Sequence, residues 1–537
     1  MKELVSLLPL LLILVLFWLL AIRPQQRRNA ALARLQASLE VGDEVMLSSG
    51  FLGIVRGFDD DRVRIELADG VVVQESEVVL AQDARPDRDA TLMLRAAASA
   101  AQAGLRLAPH TVDRLAQESA PLPVPWPRQA RESLVSLLGA GRWTVPIWEA
   151  MDQADLISRL IPGWSVVRSA PQRNPVHRFT VDRHLVETAV AASTHTRKVS
   201  RPDLLLVGAL LHDIGKGRAG DHTDIGVELV ADIGPMLGFD AADTEVLVNL
   251  VRYHLLLPDV ATRRDIDDPA VIGMVAEAVG NREFLDLLHW LTVSDAAATG
   301  PAAWSPWKQN LTEVLVRRTH AVLAGGEPVI EPLLEDVSEG LWTAPGVTVD
   351  CERVGETEVV VTVGAADSVG LLSRCAGVLA INRLSVRDAV SRTQGTRAVI
   401  RWTVQTQFGE PPGDERLAAD IRRAVSGEMD LSRRLSERER AYAVSEDPRP
   451  EPTVALIPDG SSRATVLEVR AHDRAGLLYW ITSALASAGV NVDGAKVSTL
   501  GSEVVDVFFL TNEAGEPLSP SKAEAALAAV RGTLAGS

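Results

Sequence analysis

Ten histidines occur in the 537-residue chain, and six of them, His177, His184, His195, His212, His222 and His254, crowd between residues 177 and 254. Within that cluster the stretch LLHDIGKG, residues 210–217, sets His212 beside Asp213 at the end of an apolar run, with Lys216 three positions on. Neutral imidazoles mixed with carboxylates suit a divalent cation of intermediate hardness. Adjacent helical residues diverge by about 100°. His212 and Asp213 can therefore approach one ion only from neighbouring directions at a helix end, and they need partners from other helices. His184 opens an apolar stretch (HLVETAVAA), and Asp295 sits near the end of another (LTVSDAAATG); together these make a two-His, two-Asp set.

The elements that must carry these residues are helical. Residues 83–175 read as an Ala-, Leu- and Arg-rich helical connector broken by PLPVPWPRQA at 121–130, and helical periodicity continues over 176–323. The H…HD…D order over 177–323 resembles the HD phosphohydrolase superfamily, an all-α helical bundle. The flanking stretches HRFTVDRH, GDHTDIG, VRYHLLLPDVATRRDIDDP and SDAAATGPAAWSPWK are similar to the HD domain of the GlnD family, bifunctional enzymes that add a nucleotidyl group to the PII signalling protein and remove it. The resemblance implies that His184, His212, Asp213 and Asp295 hold the cation, with Asp213 also guiding the proton of the attacking water. Ligand type alone leaves manganese, magnesium, iron, cobalt and zinc open. Lys216 could neutralise a phosphate oxygen or stand as an exposed helix-end cation. His222 and His254 could hold a second ion or the phosphate, and His177, two turns before His184, could reach the site or pack. Arg263 and Arg264 read either as phosphate contacts or as solvated charge.

The last third holds a repeat. ADSVGLL at 366–372 matches HDRAGLL at 472–478 at an offset of 106 residues, and the same register aligns Leu384-Ser385-Val386 with Val490-Asn491-Val492 and Trp402 with Phe508. The two copies, placed at 354–428 and 463–535 with linkers at 324–353 and 429–462, resemble the ACT domain, an α+β module of βαββαβ order that commonly binds amino acids. Gly370 and Gly476 at the strand-to-helix turns permit close backbone approach, and Asp473 is placed to cap the second helix. HD followed by two ACT domains is the carboxyl-terminal order of the GlnD family, which implies PII as substrate and glutamine as effector. The nucleotidyltransferase motifs that open that family, a G-S/G loop and a D-x-D pair, are not found in this sequence, so the transferase activity is expected to be missing.

The amino terminus differs. Residues 4–22 carry no charge across 19 positions, and Arg23, Arg27 and Arg28 follow at once. A single transmembrane helix over 1–22 is expected, with the amino terminus outside and the remainder on the cytoplasmic side of the inner membrane. Residues 23–82 read as a polar helix followed by short alternating strands punctuated by Ser49-Gly50, Asp59-Asp60-Asp61 and Asp69-Gly70, the pattern of a small antiparallel β-barrel. Together the segment resembles the YajC family, an accessory subunit of the bacterial protein translocase, which makes the lipid bilayer and the translocase expected partners.

Composition sets the outer bounds. A formal net charge of −17 with no basic stripe excludes nucleic-acid binding as the main task. Two cysteines, Cys351 and Cys375, cannot staple a chain of this length and fit a reducing setting. Three functions compete: a metal-dependent phosphodiesterase that strips UMP or AMP from PII, an HD hydrolase of another phosphoester, and a catalytically silent translocase accessory that senses metabolites.

Overall fold

The computed structural model describes residues 18–23, 25 and 38–535, apart from 48–49, 51, 60–61, 173–176, 301–302, 329, 331–333, 335, 356–357, 407–411, 443–450, 475 and 501–502. The chain divides into two compact units, one of Met1–Trp164 with Ile233–Asp240, the other of Ser165–Asp232 with Ala241–Ser537.

In the first unit, β1 (Glu44–Met46), β2 (Leu52–Asp59), β3 (Arg62–Ala68), β4 (Val71–Gln74) and β5 (Glu77–Leu80) form an antiparallel meander, and β6 (Arg106–Leu107) adds in parallel to β5. The expected barrel is corrected to an open sheet, because β1 and β6 lie at opposite edges. Alternating strands and turns read the same in both architectures. Closure depends on the end strands meeting, and these have only three and two residues. The helix Leu92–Ala103, an alanine-rich segment buried along most of its length, packs against the sheet.

The expected transmembrane helix is corrected too. Residues 4–17 of the apolar run lie outside the described residues, and of the remainder Trp18–Ile22 forms one five-residue π-helical turn. Among the described residues no helix is long and apolar enough to cross a membrane. The expected single-pass inner-membrane placement is corrected with it. The polar helix expected just after the anchor falls mostly outside the described residues.

The helical half of the second unit is built around Pro202–Leu211. Proline at its first turn suits a terminus whose N–H groups are unsatisfied anyway. Every residue from Leu204 to Leu211 is buried, so this helix is surrounded rather than amphipathic. Around it pack Val181–Ser193, Ala241–Tyr253 and Arg282–Thr299. Gly208 permits the second of these contacts, since a Cβ there would lie 2.7 Å from Leu250. Asp268 and Asn281 cap the helices Pro269–Val279 and Arg282–Thr299 through Ala270 N–H and Phe284 N–H.

The other half is one eight-stranded antiparallel sheet. Its strands are β7 (Thr348–Arg353), β8 (Glu358–Ala366), β9 (Leu384–Gln394), β10 (Arg397–Thr406), β11 (Thr453–Leu456), β12 (Thr465–His472), β13 (Asn491–Leu500) and β14 (Glu503–Thr511), in the order β11-β12-β14-β13-β9-β10-β8-β7. The two sequence copies are thus halves of one sheet joined where β9 meets β13, with Lys496 opposite Val390, its own counterpart at the offset of 106. Each copy runs strand, strand, helix, strand, strand, helix. The outer strand therefore precedes the repeat instead of closing it, a departure from the expected βαββαβ order. The helices Leu371–Ile381 and Leu477–Ser487 pack on one another, and a single apolar core runs beneath both copies, from Val361 and Trp402 to Phe508 and Val530.

Candidate metal centre

The helical half brings the expected quartet together. His184 lies in the first turn of Val181–Ser193, His212 at the carboxyl end of Pro202–Leu211, Asp213 just beyond, and Asp295 in the last turns of Arg282–Thr299. His184 Nε2 stands 3.0 Å from Asp295 Oδ1 and 3.8 Å from Asp213 Oδ2. His212 Nε2 stands 3.4 Å from Asp213 Oδ2 and 3.6 Å from Asp295 Oδ1. Two ligand atoms each about 2.1 Å from one ion are separated by roughly 3.0–3.4 Å. His184, His212 and Asp213 pack closely enough for one ion, and Asp295 adjoins them through both histidines.

The tight turn after His212 brings in more. Gly215 packs against the start of the helix His222–Met236 so closely that a Cβ would fall 2.0 Å from the His222 carbonyl oxygen. That contact delivers His222 to the other side of Asp213, with Nε2 3.5 Å from Oδ1. His254, buried just after Ala241–Tyr253, places its Nε2 3.6 Å from the same oxygen. Asp213 consequently faces two groups at once, His184 and His212 through Oδ2, and His222 and His254 through Oδ1. Each group packs closely enough for one ion.

Tautomers are set from behind. His212 Nδ1 lies 2.9 Å from the Ala209 carbonyl and His254 Nδ1 2.7 Å from that of Val251. Both Nδ1 atoms must carry their proton and donate to those carbonyls, which leaves Nε2 with a lone pair toward the centre. Among the described residues, His184 Nε2, His212 Nε2 and Asp213 Oδ1 are buried with no hydrogen-bond partner. Orphaned buried atoms of this kind are costly unless something satisfies them, and a divalent cation does. The donor set fits such an ion.

Charge supports the same conclusion. Burial pushes the two carboxyls up, but His212 and Lys216 beside Asp213, and His184 and His212 beside Asp295, hold both well below the usual carboxylate range. Burial pushes His212 down while Asp213 and Asp295 lift it to about 10. Burial lowers His254.

Lys216 is neither free nor simply solvated. Its Nζ sits 2.6 Å from Asp213 Oδ2 and donates to Gln172 Oε1 at 2.9 Å, so it clamps the central carboxylate. His177 reaches the rim, its ring 5.8 Å from that of His184. Arg263 and Arg264 face away, toward the sheet. Arg263 pairs with Glu468, and Arg264 donates to the Asp459 carbonyl at 2.8 Å. Their sequence suggested phosphate or solvent, and nothing local revealed an interdomain contact two hundred residues away. In the sheet half, Gly370 and Gly476 both adopt positive φ, 84° and 81°, as helix N-caps. No side chain caps the Leu477–Ser487 helix, so Asp473 does not serve as the expected cap. Cys351 and Cys375 are free thiols, and burial pushes that of Cys375 up to about 12, out of reach of nucleophilic chemistry.

Family models match three segments: YajC, a preprotein translocase subunit, over residues 7–82; the HD domain over 181–282; and the ACT domain over 465–519. A bifunctional uridylyltransferase/uridylyl-removing enzyme of Streptomyces coelicolor is 46% identical, over 86% of this chain and 61% of its own length. The chain is similar to the GlnD-type enzymes over most of its own length. A Mycobacterium tuberculosis GlnD relative of the same name is 41% identical over 83% of this chain and 57% of its own, and one from Gluconobacter oxydans 32% identical over 69% and 46%. The chain thus spans about three-fifths or less of the length of the GlnD relatives it matches. Both candidate ligand groups fall inside the HD match, and Asp295 lies beyond it.

Proposed function

We propose that the chain is a metal-dependent phosphodiesterase that removes a nucleotidyl group, UMP or AMP, from a tyrosine of a PII signalling protein. The observation that carries this reading is Asp213, one buried carboxylate with a pair of histidines at each oxygen, in a chain whose relatives are named uridylyl-removing enzymes. His184, His212, Asp213 and Asp295 would hold a first divalent cation; Asp213 with His222 and His254 would hold a second. A cation in such a site polarises the phosphoryl group and acidifies water. The carbonyls of Ala209 and Val251 keep the imidazoles aimed. Lys216 fixes Asp213 and adds positive charge where the phosphoryl oxygens gain negative charge. Water oxygen bonds to phosphorus, the bond to the tyrosine oxygen breaks, and the tyrosinate takes up a proton, leaving nucleoside monophosphate and free tyrosine. The sheet half would bind an effector amino acid, glutamine, at the Gly370 and Gly476 turns, and its contacts with Arg263 and Arg264 supply a route to the centre.

Uridylylated and adenylylated PII are the test substrates. Nucleoside monophosphate release should require a divalent cation, stop with chelator, and fall at least about a hundredfold in Asp213→Asn. No release from either substrate with manganese, magnesium, iron, cobalt or zinc added would overturn the reading.

A further inference from the structure

The repeat creates two clefts related by the offset of 106 residues. In one, the Asp367–Gly370 turn of the first copy faces Asn491 and Val492 of the second; in the other, the Asp473–Gly476 turn of the second faces Ser385 and Val386 of the first. Every residue lining the first cleft has its counterpart, 106 positions on or back, lining the other. The clefts are nonetheless unequal. The first has a volume of about 20 Å³, room for about one water, and the second about 240 Å³.

Among the matched positions that differ, one sets a carboxyl against an alkyl side chain. Where the closed cleft has Ile400, the open one has Asp506, only 1% exposed. Among the described residues neither Asp506 oxygen has a hydrogen-bond partner; the Ser498 backbone N–H approaches without meeting hydrogen-bond geometry. Burial first, and the Asp473 carboxylate second, push its carboxyl well above the ordinary range. A buried carboxyl with both oxygens unsatisfied is costly in an empty protein. The open cleft also contains Arg438 and Arg474, and it lies at the amino end of a helix no side chain caps. Negative and positive recognition elements thus stand at one small cavity.

We propose that the Asp473 cleft, and not its counterpart, binds a small ligand through a cationic ammonium group anchored on Asp506. The assignment rests on the amino-acid effector reading above and narrows it to one site per chain. An α-amino acid satisfies both halves, its ammonium on Asp506 and Asp473, its carboxylate at the Leu477–Ser487 amino terminus and the arginines. The sequence likeness of the two turns suggests two equal sites, and Ile400 removes one of them.

The full-length chain is titrated calorimetrically with L-glutamine and with glutaramic acid, which lacks only the α-amine, and is screened for thermal shift with each standard L-amino acid. One site per chain is expected, with glutaramic acid and Asp506→Asn each weakening binding roughly tenfold to a hundredfold and Asp367→Asn leaving it unchanged. Glutamine binding untouched by Asp506→Asn overturns the anchor while the effector reading stands. A shift from another amino acid but not glutamine, abolished in Asp506→Asn, supports the anchor and removes glutamine. No shift with any amino acid overturns the cleft assignment. Ligand-free Asp506→Leu should melt above wild type, because it removes an unsatisfied carboxyl; a lower melting temperature makes Asp506 structural and sinks the proposal.

Discussion

Asp213 is the residue on which the centre turns, because its two oxygens serve different histidine pairs. If the pairs hold separate ions, the fully loaded chain contains two divalent cations by elemental analysis. His254→Ala should then contain one, and Asp213→Asn less than one. Two ions retained in His254→Ala would show that the second group is not a ligand set. The quartet was legible in the sequence because metal chemistry restricts residue types, and His-Asp adjacency after an apolar run is an unusual use of a helix end. The clamp by Lys216 was not, since the same lysine on a regular helix end would have faced water. The sharp turn at Gly215, not the residue type, decided its role.

Among the elements, β13 does more than pair. Its Lys496, 5% exposed, extends from the junction of the two copies to the carboxyl end of the helix Leu256–Arg263, where Nζ donates to the carbonyls of Ala261 and Arg264, each at 2.6 Å. Helix-end carbonyls without intrahelical partners welcome a cation, but burial lowers the Lys496 ammonium to about 8 from 10.5. The sign follows. Below pH 8 the lysine is charged in both folded and unfolded chains and the desolvation cost is fully present; between 8 and 10.5 the unfolded chain binds more protons, so stability rises with pH. Wild type should therefore gain melting temperature relative to Lys496→Met across that window, and a constant or shrinking difference would contradict the assignment. Nothing in AKVST announces a buried lysine, because an alternating strand places it on whichever face the partner domain covers. The same short-range blindness explains the barrel and membrane expectations. Strand patterns do not reveal whether end strands meet, and an apolar run does not by itself show a spanning helix.

At the scale of the molecule, the two halves of the second unit are joined by charge as well as by Lys496. Arg263 pairs with Glu468, Arg463 lies 2.7 Å from Asp265, and Ser461 donates to Asp265 and Asp268. Arg263 stands nine residues beyond His254, within reach of the centre through one short helix. If effector binding is transmitted here, Arg263→Ala and Glu468→Gln should each reduce the glutamine-induced change in hydrolysis by several-fold while basal hydrolysis stays near wild type. The double variant should do no more than either alone. Additive losses would place the transmission elsewhere. The repeat, its register and its likeness to amino-acid modules were readable from one offset. That the copies fuse into a single sheet was not, because edge-to-edge pairing of β9 with β13 leaves no local signature.

That seam has a consequence for how such a chain can be shortened. A premature stop in the linker before Thr453 would strip β13 from β9 and lay open half of a common hydrophobic interior, turning a sealed surface into an adhesive ribbon. The pair of modules must be kept or lost together, even though the two matching clefts differ more than tenfold in the room they give a guest.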